Sequence, residues 1–237
     1  PRGRWNPRRA LAAAKLAVAM AQSYRYLRRF RPQLVVGFGG YVSVPVLLTA
    51  QRMGIPTALH EANKRMGLAN RLAATRAQRI FLSYDDTFGP YPADRAVVTG
   101  NPVRAGFIDP PAREAACAQF GFDAERPVVL ITGGSQGAQS VNAAAAEAIR
   151  SFGPAEAQFI WLAGKRHAND ARKAAAAVEA SVAVFSFLDD MPAAFAAADL
   201  VVSRAGASST AEIAAVGKPS ILVPFPHAAD NHQEDNA

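Results

Sequence analysis

From residue 127 onward, short apolar runs and alanine-rich stretches alternate in a regular rhythm. Residues 127–132, 158–162, 182–185, 200–202 and 220–223 are dominated by β-branched, aliphatic and aromatic side chains. Uninterrupted apolarity over so few residues predicts strands covered on both faces, the signature of a parallel sheet. Between them, stretches at about 138–150, 168–179, 191–197 and 207–216 predict helices, in keeping with the high helix propensity of alanine. The first half repeats the rhythm more loosely. Residues 7–30 predict one long helix, with Leu11, Ala14, Val18, Tyr24 and Leu27 apolar and Arg8, Arg9, Lys15, Arg25, Arg28 and Arg29 charged. Strands follow at 34–36, 55–59, 79–82 and near Val97 and Val98, with helices at 43–53 and 68–75 between them. Strands joined through helices make βαβ units, so both halves predict α/β folding around a parallel sheet.

Two turns punctuate the middle of the chain. Gly100-Asn101-Pro102-Val103-Arg104 ends the first series, and Asp109-Pro110-Pro111 precedes a helix at 112–120. Charge changes sign at the same place. Residues 1–104 hold 17 Lys and Arg against 4 Asp and Glu, a balance of +13, whereas residues 105–237 hold 9 against 15, a balance of −6. A domain boundary is therefore expected near residue 105, giving domains 1–104 and 105–237. Ten cations precede the first acid, Glu61. Segregated charge of this kind fits a first half facing an anionic membrane surface, a nucleic acid or a phosphate-bearing substrate, and fits a solvated basic face as well. Trp5, Tyr24, Tyr26 and Phe30 lie among the arginines of the long helix. That is the composition of an interfacial membrane anchor, and equally of a core-packed helix with a basic outer side.

The remaining composition sets bounds. Half of the residues are apolar, enough for two cores. The single cysteine, Cys117, has no intrachain partner and fits a reducing compartment. No run of 18 uncharged apolar residues occurs; the stretch 11–20 is short and carries Lys15. The sequence opens at Pro1 without a methionine and stops at Ala237 within a motif, so an internal fragment is expected, with both domains incomplete.

Candidate chemistry gathers where strands of the second half end. After strand 127–132 comes Gly133-Gly134-Ser135-Gln136-Gly137-Ala138, a glycine turn opening a helix. Glycine permits close backbone approach, and helix-start amides bind anions, so a phosphate is the natural occupant; a tight turn without ligand has the same sequence. Phe187-Leu188-Asp189-Asp190-Met191 follows the strand at 182–185. Its acid pair reads as a helix N-cap rather than a metal pair. Ser203-Arg204-Ala205-Gly206 leads into a helix opening with Ala207, Ser208, Ser209, Thr210, Ala211 and Glu212. Hydroxyls and amides there suit a diphosphate. Glu212 suits hydrogen bonds from ribose hydroxyls, or the capping role common to acids in a first helical turn. The last turn runs from Pro224 to Gln233. Arg104 is a candidate phosphate contact or a plain surface arginine. His60, His167, His227 and His232 are scattered, no set of ligands has metal-binding spacing, and the Gly-x-Ser-x-Gly elbow of a hydrolase is missing.

Seven ordered segments carry a resemblance. They are Gly37-Phe38-Gly39-Gly40-Tyr41-Val42-Ser43; His60-Glu61-Ala62-Asn63 with Gly67-Leu68-Ala69-Asn70; Gly100 to Arg104; Gly133 to Ala138; Phe187 to Met191; Arg204-Ala205-Gly206-Ala207 with Ala211-Glu212-Ile213-Ala214; and Asp230-Asn231-His232-Gln233 with Asn236-Ala237. Together they resemble the MurG family of bacterial glycosyltransferases, within glycosyltransferase family 28. The resemblance implies a GT-B fold, two Rossmann-like domains facing each other across a cleft. It implies inverting transfer of N-acetylglucosamine from UDP-N-acetylglucosamine to lipid I, giving lipid II for peptidoglycan synthesis, at the cytoplasmic face of the cell membrane. The second domain would bind the donor through Asn63, Arg104, Ser135, Leu188, the run Ala207, Ser208, Ser209, Thr210, Ala211 and Glu212, and Gln233. Leu188 would hold uracil, Glu212 the ribose, Ser135 and the helix start the diphosphate, and Gln233 the sugar. The first domain would face lipid I and an anionic membrane. No metal, cofactor or nucleic acid is implied, and the histidine usually placed near the acceptor falls upstream of Pro1, so the catalytic residue is unassigned. Ala62, Ser208 and His232 depart from the family's usual residues. The alternatives are another GT-B enzyme of UDP-sugars, or a basic module for anionic membranes or nucleic acid, which would leave the acidic half without a role.

Overall fold

The structure, a computed structural model, describes residues 7–134, 136–226 and 232–237, without the side chains of residues 7–10 and 232. The chain divides into two compact units, Pro1–Asn101 and Pro102–Ala237, at a proline step inside the Gly100–Arg104 turn.

The first unit contains α1 (Pro7–Phe30), β1 (Val35–Gly37), α2 (Ser43–Arg52), β2 (Thr57–Glu61), α3 (Leu68–Ala74), β3 (Arg79–Leu82) and β4 (Ala96–Val98). Its strands are all parallel and stand in chain order, β1-β2-β3-β4. Right-handed crossovers stepping one way across a sheet keep their helices on one face. Accordingly α2 packs on α3, and α1 packs on α2. Leu47, Leu59, Met66, Ala73, Ile80 and Leu82 form the core. Strand β2 runs on through His60 and Glu61, which pair with Phe81 and Leu82 beyond the expected end at residue 59. The two polar residues stay in the ladder because their side chains find partners behind the sheet. Helix α1 occupies the span the pattern predicts, yet it buries only a narrow stripe containing Ser23 and Leu27. Leu11, Val18, Tyr26 and Phe30 remain exposed, Tyr26 and Phe30 at 69%.

The second unit contains α4 (Arg113–Gln119), β5 (Val128–Thr132), α5 (Gln139–Ala148), β6 (Gln158–Leu162), α6 (Ala168–Ala175), β7 (Ser181–Phe185), α7 (Met191–Ala197), β8 (Leu200–Ser203), α8 (Ala207–Val216), β9 (Ser220–Leu222) and α9 (His232–Asn236). The strands are parallel in the order β7-β6-β5-β8-β9. Both faces are covered, and the strand period of two sorts the side chains. Leu130 and Ile160 enter one core with Phe107, Phe195 and Val201, while Ile131, Phe159 and Trp161 enter the other with Val141 and Ile149. The buried Trp161 indole donates to Asn142 Oδ1 at 2.9 Å, and the Asn142 amide donates to the Ala163 carbonyl at 2.9 Å. Arg113 ties α4 to the sheet by a two-pronged bond to Asp199, at 2.8 and 2.9 Å. That carboxylate raises the guanidinium pKa against the opposing effect of burial. Cys117 is fully buried in the first of these cores, where desolvation pushes its thiol up.

Strand order decides where a ligand can go. From β5 the chain steps outward to β6 and β7, then returns to the other side of β5 for β8 and β9. Helices therefore diverge to opposite faces between β5 and β8, which opens a crevice beyond the carboxyl ends of those strands.

Candidate functional site in the second unit

The turn after β5 is built by glycine, but only partly for a ligand. Gly137 has φ +73°, and a Cβ there would lie 2.2 Å from the Ala163 carbonyl oxygen. Gly164 faces it under the same constraint. Two of these glycines thus let the turns after β5 and β6 lie backbone against backbone. Gly134 differs: at φ +80° its missing side chain would meet nothing within 4 Å. Its amide donates to Thr132 Oγ1 at 3.2 Å, and its carbonyl accepts from the Gly137 amide at 2.9 Å. The open ground beside Gly134 is the site.

A pocket of about 200 Å³ lies there, bounded by Arg104, Thr132, Gly134, Leu188, Ser209 and Glu212, with Leu162, Met191 and Phe195 as apolar lining. A wider groove of about 840 Å³ shares Gly134 and Ser209 with it and adds Arg204, Phe225 and Gln233. Residues that follow β5, β6, β7 and β8 meet because each leaves the same edge of one sheet, and Arg104 joins them from the segment ahead of α4.

Each turn is held in place by its own chemistry. Asp190 caps α7, its Oδ1 accepting from the Ala193 amide at 3.1 Å, with a proline in the first turn. Of the acid pair, Asp190 thus serves as the N-cap; among the described residues no three His, Cys, Asp or Glu side chains gather as metal ligands. Arg104 donates to the Asp189 carbonyl at 3.3 Å and to Glu212 Oε1 at 3.4 Å, and lies over the Phe107 ring at 5.1 Å. These ties fix a half-exposed cation at the pocket rim. Glu212 is mostly buried beneath it; burial pushes its pKa up, and Arg104 only partly offsets this. An incompletely neutralised carboxylate in a pocket is an acceptor awaiting donors.

The expected α8 residues take different parts. Ser209 reaches both pocket and groove, Ser208 is exposed, and Ala207 and Ala211 are half-buried. Thr210 bonds within its own helix, its hydroxyl donating to the Gly206 and Ala207 carbonyls at 3.2 and 3.1 Å. Gly206 is the N-cap and brings no side chain to the first amides of α8. Gln233 lines the groove with its amide oxygen engaged by the Phe225 amide at 2.9 Å. Its nitrogen is the atom left to donate.

Asn63 belongs to the first unit. Its backbone and side-chain nitrogens donate to Glu61 Oε1 at 3.0 and 3.2 Å, while Glu61 Oε2 accepts from Gly67 and Asn70 at 2.9 and 2.8 Å. Ser135 lies outside the described residues, as do Asp230 and Asn231 of the last segment. Sequence reasoning passed over Arg204, Thr132 and Phe187 as lining residues. Arg204 carries one signal, its place directly after a buried strand at the mouth of a glycine turn.

Comparison with known proteins adds identity to this geometry. The model of the glycosyltransferase family 28 N-terminal domain matches residues 2–82, and that of the family's C-terminal domain matches residues 128–237. A protein of Bacteroides fragilis is 43% identical over 230 residues, 94% of this chain and 60% of its own length. One of Syntrophus aciditrophicus is 40% identical, covering 100% of this chain and 64% of its own. Both are named UDP-N-acetylglucosamine–N-acetylmuramyl-(pentapeptide) pyrophosphoryl-undecaprenol N-acetylglucosamine transferase. The chain thus spans about three-fifths of the length of such relatives. Among solved structures, MurG of Acinetobacter baumannii aligns with a TM-score of 0.72 at 29% identity, over 95% of this chain and 62% of that one. The UDP complex of S. aureus MnaA aligns at 0.65 over 89% of this chain and 63% of that one, but at 14% identity, a likeness of fold alone. The paired parallel sheets agree with the GT-B neighbours, and together the two domain models match most of the sequence. The chain belongs to glycosyltransferase family 28.

Proposed function

We propose that this chain supplies the donor pocket and the membrane-facing unit of an N-acetylglucosaminyltransferase that converts lipid I to lipid II. The observation that carries the reading is the meeting of Arg104, Leu188, Ser209 and Glu212 in one pocket at the strand-order switch. The 43% and 40% identity to proteins named for this reaction supports the choice of donor and acceptor.

On this reading uracil enters beside Leu188, ribose hydroxyls donate to Glu212, and the diphosphate lies along Gly134, Ser135 and the start of α8. Gln233 donates to the sugar. The acceptor hydroxyl attacks the anomeric carbon as the bond to the diphosphate oxygen breaks, which inverts the configuration; a base takes the hydroxyl proton. Charge gathering on the departing UDP is stabilised by oriented amides and by Arg104, without a metal ion. The basic first unit and the exposed Leu11, Leu16, Val18, Tyr26 and Phe30 of α1 suit an anionic membrane surface, with the protein peripheral at the cytoplasmic face and serving cell-wall growth, cell shape and division. No described helix is long and apolar enough to cross a membrane.

The test offers UDP-N-acetylglucosamine and a lipid I analogue to the protein that carries this chain. Release of UDP only with acceptor present, and a β-linked disaccharide product, are expected. A sugar epimerised at C2 in the absence of acceptor would replace this reading with that of another UDP-sugar enzyme.

A further inference from the structure

Arg204 is the most unusual charge in the second unit. The residue is 9% exposed, yet among the described residues its guanidinium donates only to neutral oxygens: the Val223 and Pro224 carbonyls at 3.2 and 2.8 Å, and Ser140 Oγ at 2.7 Å. Its carbon centre lies 5.4 Å from the Phe225 ring centroid. Among the described residues no carboxylate forms an ion pair with it. The contrast with Arg113 is direct, since that arginine has Asp199. Buried cations are ordinarily paired, because desolvating a charge without compensation is expensive. An arginine stays protonated even so. Burial lowers the Arg204 pKa, and no neighbouring acid raises it again. The residue also forms part of the wall of the groove that holds Gly134, Ser209 and Gln233.

We propose that Arg204 is the built-in counter-charge for the phosphate groups of the donor nucleotide, and at the same time the tie that holds three strand-end segments around them. Its partners lie in the first turn of α5 and on the exit from β9, while it stands itself on the exit from β8. Segments that converge on an anion are thus clamped by the cation that attracts it. The guanidinium fork suits this double task, since lysine offers a point charge without fixed geometry. Nothing in the sequence groups Ser140 with Arg204; the fold brings them together. The inference rests on the donor-site reading above, and it adds a residue which that reading leaves out.

Calorimetric titration with UDP and with uridine separates charge from architecture. The unaltered chain is expected to bind UDP more tightly than uridine. Arg204→Gln should weaken UDP roughly ten- to a hundredfold, the range for a hydrogen bond to a charged group, while uridine changes by no more than about twofold. Because Arg204→Gln also removes donors from two carbonyls, Ser140→Asp provides a second route. It places a carboxylate against the guanidinium and leaves the other ties intact, and an acid in the first turn of α5 favours the helix. It should reproduce the selective loss of UDP. Gln139→Asp, adding the same charge one residue away, should do so less. Equal losses for uridine and UDP would make Arg204 purely architectural and overturn the proposal. So would a Gln139→Asp variant as weak for UDP as Ser140→Asp. Absence of binding by either ligand to the unaltered chain would instead overturn the donor-site reading itself.

Discussion

In the first unit, the acid at the end of β2 has its acceptor sites filled locally: Glu61 accepts from Asn63, Gly67 and Asn70, and beside it His60 lies 3.2 Å from the Gly100 carbonyl. In the second, Glu212 sits at a pocket wall with a long contact to Arg104, and among the described residues no acid pairs with Arg204. Both units are parallel α/β sheets, so the difference comes from strand order. Sequential order keeps the helices on one face and lets a strand-end turn fold onto its own residues. The reversal at β5 parts the turns and leaves their polar groups facing open space. The comparison teaches that a buried carboxylate is not by itself a functional sign. What matters is whether its acceptor sites are already filled.

Several substitutions would break or sharpen this contrast. The largest effect is expected at Gly137, where a Cβ would meet backbone at 2.2 Å in a left-handed conformation. Gly137→Ala should lower stability by about 3 kcal/mol, seen as a lower denaturant midpoint, through combined strain and overpacking. A midpoint within error of the unaltered chain would mean that the two turns are not pressed together. Next comes Glu61→Gln, which sets an amide group against donors that now meet a carboxylate. It should cost about 2 kcal/mol in thermal unfolding of the chain. Glu212→Gln should by contrast leave unfolding nearly unchanged, since that carboxylate has little to lose.

Binding reverses the ranking of the two acids. Glu212→Ala should weaken donor affinity by about 1–3 kcal/mol in calorimetry, the usual consequence of removing an acceptor from buried hydroxyls. Unaltered affinity would remove the ribose from Glu212. The pH dependence follows from the raised pKa of that residue. Ribose hydroxyls need the ionised form, so affinity should fall as pH drops through the elevated value, and Glu212→Gln should flatten the profile. Stability runs the other way. The protonated form is favoured by folding, so its contribution is full below the ordinary glutamate value and fades as pH rises through the raised one. The smallest effect is expected at the α7 cap: Asp190→Ala should lose about 1 kcal/mol in denaturant unfolding.

Much of the architecture could be read in advance because buried parallel strands announce themselves. Residues 79–82, 158–162, 191–197 and 207–216 fold as their pattern predicts. Strand β2 was harder, since His60 and Glu61 look like a turn until Asn70 and Gly67 are seen behind them. The pocket's acid, Glu212, and its cation, Arg104, are legible through spacing and resemblance. The glycines were legible as a turn but not in purpose. Only the fold shows that Gly137 serves Ala163 and that Gly134 faces open space. The role of Arg204 was hidden for a similar reason: its partners at 140, 223 and 224 are brought to it by strand order, which no local pattern encodes.

The convergence of strand-end turns in the second unit is tested most directly by titrating the isotope-labelled chain with UDP and following backbone amide resonances. Shifts should concentrate at Gly133–Ala138, Phe187–Met191 and Arg204–Glu212, with the first unit largely silent. Shifts confined to the first unit, or none at saturating nucleotide, would contradict the account.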